Sequence, residues 1–273
     1  MYVLSGKVAV VTGAGSGIGR ALAQQLAAKG CRLALADINE VALRETAASL
    51  PAPPLLQKLD VSDRAAVYAF AERVQRELGT AHVVINNAGV TVSQTIADLR
   101  YEDFDWLMGI NFWGVVYGTK AFLPMLTAQN DGRIVNISSV FGLIAWPAQG
   151  SYNAAKFAVR GFTECLRLEL ELASSKVLAI CVHPGGIKTN IVKSARFYTD
   201  GGGTTDHQLM AEQFQRAART TPEQAALTII DGIERGKVKV LIGADARFID
   251  WIQRWLPIRY FKVLGGLVER MTK

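Results

Sequence analysis

Cysteine is scarce in this chain. Only Cys31, Cys165 and Cys181 occur among 273 residues, an odd number and too scattered for the CxxC pairs that bind metal or exchange electrons. A disulfide-stapled scaffold is excluded, no metal site is expected, and the three thiols are predicted to be buried in a reducing compartment. Long apolar runs are also missing. They stop at four to six residues, as in 8–11 and 177–182, against the roughly 18 or more that a spanning helix needs, which excludes an integral membrane protein. No basic segment followed by an apolar stretch precedes the strand-like run at residue 8, so a secretory signal is not expected and the predicted location is the cytoplasm. Against these absences, 50% hydrophobic and 20% charged residues exclude disorder and supply a core for one domain, or at most two.

An excess of positive charge is weak in the body of the chain. Thirty Lys and Arg against 24 Asp and Glu leave +6, but residues 246–273 hold Arg247, Arg254, Arg259, Lys262, Arg270 and Lys273 against Asp250 and Glu269, so +4 of it sits in the tail. A nucleic-acid partner is therefore not expected.

Short β-branched or apolar runs recur at 7–11, 32–36, 55–59, 82–85, 133–137, 177–182 and 238–242. Helical spacing fills the intervals 17–29, 40–49, 63–78, 102–128, 151–173 and 222–234. Strand alternating with helix predicts an α/β, doubly wound seven-stranded parallel sheet with helices on both faces. Residues 1–243 read as one domain of this doubly wound, Rossmann type, and 244–273 as an amphipathic basic extension. The long polar stretch 190–221, with three consecutive glycines at 201–203, interrupts the alternation at the end of the sixth strand and reads as a substrate lid.

Thr12-Gly13-Ala14-Gly15-Ser16-Gly17-Ile18-Gly19 links the first strand to a helix. Glycines there let backbone amides and a helix N-terminus approach a phosphate. Asp37 ends the second strand, 18 residues beyond Gly19, where a carboxylate can accept from ribose hydroxyls and repel a 2′-phosphate. NAD is thus favoured over NADP, with Arg20 and Arg32 as the cations that could compensate; Asp37 could also cap the next helix. Further on, Tyr152 and Lys156 stand at i and i+4, on one helix face. To act as acid/base near neutrality, a phenol of pKa ~10 has to fall by about 2–3 units, a fall that a neighbouring Lys and a positively charged nicotinamide together would supply.

Together, TGxxxGxG, Asn86-Asn87-Ala88-Gly89, Ser138-Ser139, YxxxK and Pro184-Gly185 in this order resemble the short-chain dehydrogenase/reductase family over about residues 5–243. The resemblance implies that Tyr152 is the acid/base, Lys156 its partner and a ribose contact, Ser139 the hydroxyl that holds the substrate oxygen, and Asn111 a member that holds a proton-relay water. Ser139 is preferred to Ser138 because it lies 13 residues before Tyr152, as is usual in the family. It also implies cofactor contacts from Gly13, Ser16, Gly17, Ile18 and Gly19, from Asp37, from Asp60 and Val61 at the adenine, and from Asn87, Ala88 and Gly89. Pro184, Gly185, Ile187 and Thr189 are implied at the carboxamide. His183, just before them, reads as a packed strand-end residue, with no Ser-His-Asp triad in view.

The function so implied is hydride transfer between NAD and a secondary alcohol or ketone, the alternatives being an NADPH-preferring carbonyl or ketoacyl reductase and a non-catalytic NAD-binding regulator. Phe141, Leu143, Ile144 and Trp146 after Ser139 are consistent with a lipophilic substrate and equally with core or subunit contact. A homodimer or homotetramer packed through 102–128 and 151–173 is the family expectation. In the tail, Phe248, Trp251, Ile252, Trp255 and Leu256 recur at helical spacing, Pro257 breaks the helix, and Phe261, Leu264, Val268 and Met271 mark a second amphipathic segment. This stripe packs on the body or a subunit, or makes weak peripheral contact with a membrane through 246–271.

Overall fold

The computed structural model describes residues 1–188, 196–197 and 218–272, with backbone alone for 196–197 and 267–272. Thr189 and nearly all of the predicted lid at 190–221 lie outside the described residues.

Seven parallel strands form one sheet in the order β3-β2-β1-β4-β6-β7-β9: β1 (Val8–Thr12), β2 (Arg32–Asp37), β3 (Leu55–Lys58), β4 (Val83–Asn86), β6 (Gly132–Ile137), β7 (Val177–Pro184) and β9 (Lys239–Ile242). The alternation of residues along β1 shows why its five positions are all buried. Ala9 and Val11 face a layer with α1 (Gly17–Ala28) and α7 (Pro222–Glu234), through Leu22, Leu26, Ile229 and Ile233. Val8 and Val10 face the opposite layer of α3 (Arg64–Leu78), α5 (Gly114–Ala128) and α6 (Gly150–Leu172), through Phe70, Phe122 and Leu166. A strand covered on both faces takes apolar residues on both, which is why β1 reads as an unbroken run over 8–11.

Local signals start the helices where the sequence places them. Asn39 caps α2 (Glu40–Ala48), Asp63 caps α3, and Thr221 with Gln224 forms a capping box over α7, which Pro222 begins. Asp37 is therefore not the cap of α2. Its Oδ1 instead accepts from the Asn39 amide at 2.8 Å, placing it one turn ahead of the helix.

Three features depart from the sequence reading. The helical stretch expected at 102–128 is α4 (Tyr101–Met108), a π-helical turn (Gly109–Trp113) and α5, because the extra residue per turn rotates Asn111 inward to full burial. A second, two-stranded parallel pair joins β5 (Val92–Ser93) to β8 (Arg196–Phe197) beyond the main sheet. Of the thiols, only Cys181 is fully buried; Cys165 is exposed because α6 buries one face only, and Cys165 lies on the other beside Glu169.

The tail forms α8 (Ala244–Trp255) and α9 (Tyr260–Thr272), with the break at Pro257 as predicted. Ile252 and Leu264 bury against Ile144, anchoring both helices on the segment that follows β6.

Candidate active site

The sheet order reverses at β1, between β2 and β4, which opens a crevice at the carboxyl ends of these strands. The glycine-rich turn lines it. Gly13 has φ 66°, and a Cβ there would lie 2.8 Å from the Ala88 Cα; a Cβ on Gly19 would collide with the Gly13 carbonyl. Ser16 precedes α1 without capping it through its side chain, which leaves the first-turn amides of Gly17, Ile18 and Gly19 without an intrahelical partner. Across the crevice, the Gly15 amide donates to the Asp37 carboxylate at 2.8 Å.

Asn87 braces the same turn: its side-chain amide donates to the Thr12 and Gly13 carbonyls at 2.9 and 3.2 Å. The amides of Asn87 and Ala88 donate to the Thr12 hydroxyl. At the end of β3, Asp60 accepts from the Ser62 amide and hydroxyl at 2.9 and 2.7 Å, while Val61 is buried against Gly114.

The chemical groups gather one strand further along. Ser139 follows β6 and its hydroxyl accepts from the Phe141 amide at 3.1 Å, whereas Ser138 turns away and donates to the Lys156 carbonyl at 2.8 Å. On α6, the Lys156 Nζ lies 5.5 Å from the centre of the Tyr152 ring and donates to the Ile137 carbonyl at 2.9 Å. The Asn111 side-chain amide makes a two-way pair with the Val90 backbone, both bonds 2.8 Å. Gly89 lies between these groups, since a Cβ there would sit 3.2 Å from Asn111 Oδ1 and 3.7 Å from Lys156 Nζ.

Burial dominates the titration of this cluster. It pushes the Tyr152 phenol up to about 12, against the pull of the Ser139 hydroxyl, and pushes Lys156 down to about 8, against Cys181. The lowering of the phenol expected from Lys156 is therefore not achieved by the chain alone, because the buried ammonium is itself disfavoured and is held by a backbone carbonyl. Any cation entering the site acts to pull the phenol down.

Past β7, Pro184, Gly185 and Gly186 turn into Ile187, which is buried and bridges to Thr220. The Gly186 amide donates to Asp245 Oδ2 at 2.7 Å, and a Cβ on Gly185 would overlap the same carboxylate.

The family model for short chain dehydrogenases matches residues 7–198, which takes in the glycine-rich turn, Asn111, both serines, Tyr152, Lys156 and the turn at Pro184. The chain belongs to the short-chain dehydrogenase/reductase family. It is 46% identical over 274 residues to SadH of Mycobacterium tuberculosis, a candidate oxidoreductase, spanning 99% of this chain and 98% of SadH. With human estradiol 17-beta-dehydrogenase 11 it shares 31% identity over 265 residues, 96% of this chain and 83% of that one. A solved short-chain dehydrogenase/reductase from Burkholderia phymatum in complex with NAD superposes with a TM-score of 0.85 at 31% identity, covering 97% of both chains.

As a short-chain dehydrogenase/reductase, the protein is an oxidoreductase that uses a nicotinamide cofactor, and its crevice fits one. The glycine positions keep the turn thin where side chains would fill it, and the uncapped first-turn amides of α1 are donors of the kind a phosphate would take. Arg20, one candidate for compensating Asp37, is already bound to the Gly15 carbonyl at 2.7 Å, to Thr46 and to Glu45. The other, Arg32, begins β2, about 17 Å along the strand from Asp37.

Three contacts of this dehydrogenase/reductase site had no signature in the sequence. His183 Nδ1 lies 3.0 Å from the Ser139 carbonyl, which can only accept, so Nδ1 carries the proton. Asp245, which looks in sequence like an ordinary first-turn acid of α8, holds the Gly186 amide. Tyr260 of α9 accepts from the Ala145 amide at 3.0 Å. The apolar segment after Ser139 divides: Leu143 and Ile144 are core, while Phe141 stands edge-on to Tyr152 at 6.2 Å and Trp146 edge-on to Phe261 at 5.3 Å, both only half-buried.

Proposed function

We propose that this enzyme interconverts a lipophilic secondary alcohol and its ketone with NAD. The observation that carries the reading is the convergence of the Tyr152 phenol, the Ser139 hydroxyl and the Lys156 ammonium at the wall of the crevice that Asp37 closes at its other end. What a bound nicotinamide supplies is the acceptor or donor of hydride.

The chain's residues supply orientation and proton traffic. Ser139 holds the substrate oxygen within reach of the phenol. In oxidation, Tyr152 as phenolate takes the hydroxyl proton while the carbonyl forms; in reduction, the phenol returns it. Lys156, poised by burial between its charged and neutral forms near pH 8, gains its proton most readily when negative charge develops on Tyr152. Asn111, fixed by the Val90 backbone, lies beside Gly89 and Lys156, where a relayed water exchanges the proton with solvent.

Asp37 favours NAD because its carboxylate repels a 2′-phosphate and both nearby arginines are committed or remote. Lipophilicity rests on the half-buried Phe141 and Trp146 at the cleft and on a relative named for estradiol. The reading includes a dimer or tetramer packed through α5 and α6, where Trp113 beside them and Phe157 and Leu168 on α6 are exposed. Ketones and secondary alcohols of graded chain length, assayed with NAD(H) and NADP(H), test class, cofactor and polarity together. Turnover that rises with chain length and prefers NAD is expected; activity confined to short polar substrates, or a preference for NADP, overturns the corresponding part.

A further inference from the structure

We infer that α8, the Ile258 turn and the start of α9 form a docking ridge for anionic membrane surfaces beside the mouth of the active site.

The apolar sector of α8 is wider than the body of the protein covers. At about 100° per residue, Ala246, Ile249 and Ile252 face inward, while Phe248, Trp251 and Trp255 fall within about 60° of one another on the uncovered shoulder. Arg247 and Arg254 come next, within about 60° of Trp251 on its outer side. Phe248 and Trp251 stack at 6.3 Å, making one continuous aromatic edge. Trp255 is 72% exposed and Ile258, at the turn between the helices, 90%; Phe261 and Val263, on opposite flanks of α9, are partly exposed as well.

Its chemistry selects the occupant. Large aromatics bordered by arginine and lysine suit the boundary of a bilayer, where the rings enter the headgroup level and cations meet anionic lipid. Among the described residues, Arg247, Arg259 and Lys262 form no ion pair, so their charge is available to a partner. A second copy is a poorer fit, because two-fold pairing would set one cationic flank against another. Among the described residues no helix is long and apolar enough to cross a membrane, so the ridge lies on the surface.

The ridge reaches the chemistry through direct contacts. Phe261 packs on Trp146, Tyr260 binds the backbone of Ala145, and Phe141 in the same segment touches Tyr152. An enzyme docked this way faces its cleft toward the phase in which a lipophilic alcohol dissolves. Binding does not depend on that substrate reading, and it is tested without substrate or cofactor.

The full chain is co-sedimented with vesicles of phosphatidylcholine alone and of phosphatidylcholine mixed with phosphatidylglycerol, at low and high salt. Two variants are run beside it: Trp251→Ser with Trp255→Ser, and Arg247→Gln with Arg259→Gln and Lys262→Gln. All these side chains are exposed, and circular dichroism and thermal melting check folding. Pelleting with anionic vesicles that salt weakens, and that each variant reduces by at least about tenfold, is the expected result. Equal, negligible pelleting with both vesicle types overturns the inference. A smaller oligomer for the Trp variant in vesicle-free solution overturns it too, since the ridge would then be covered by another copy.

Discussion

The Gly15 amide and the Asp37 carboxylate, 2.8 Å apart, tie the glycine-rich turn to the end of β2. The other Asp37 oxygen takes the Asn39 amide, so the carboxylate is held in one orientation from both sides while retaining acceptor capacity for a ribose. Replacing Asp37 with Ala removes the charge that repels a 2′-phosphate. The ratio of kcat/KM for NAD to that for NADP should fall at least about tenfold, or about 1.4 kcal/mol; an unchanged ratio would separate Asp37 from cofactor choice.

Removing the phenolic oxygen tests the acid/base directly. Tyr152→Phe should lower kcat by about 10²–10⁴-fold while NAD binding, followed by protein fluorescence, stays within a few-fold of the parent. Lys156→Ala should impair both. Turnover within tenfold of the parent in Tyr152→Phe would assign the proton transfer elsewhere.

His183 makes stability depend on pH in a defined window. Burial holds its imidazole down at about 4, against 6.5 when solvated, so the folded state keeps it neutral. Between these values the unfolded chain binds more protons, and stability therefore falls as pH drops from 6.5 to 4, by up to about 3 kcal/mol. Urea unfolding at pH 7 and pH 4.5 should show this loss, and His183→Gln should lessen it by about 2 kcal/mol relative to the parent. An identical loss in the variant would place the acid sensitivity in other groups.

Asp245 offers a test of the tail's hold on the turn after β7. Its bond to the Gly186 amide is solvent-exposed, so Asp245→Ala should cost stability only about 1 kcal/mol. Loosening the turn beside Ile187 should nevertheless raise the KM for NAD by about three- to tenfold, with kcat less affected. A change in thermal stability alone would make Asp245 purely structural.

Much of this protein is determined by local sequence. Runs such as 8–11 are apolar at every position because both faces of a parallel strand are covered, and that requirement is visible without coordinates. Asn39, Asp63 and Thr221 act within three residues of themselves, so the helix starts are legible as well. Tyr152 and Lys156 share a helix face by spacing alone. Other features depend on residues far apart in the chain, and only the tertiary structure decided them. The π turn at Gly109–Trp113 carries Asn111 to Gly89, 22 positions away; His183 meets Ser139 across β6 and β7; and Asp245 returns from the tail to Gly186. The balance between Tyr152 and Lys156 belongs to this second group. Spacing predicts attraction between them, but desolvation, which sums over every element packed around the site, raises one pKa and lowers the other.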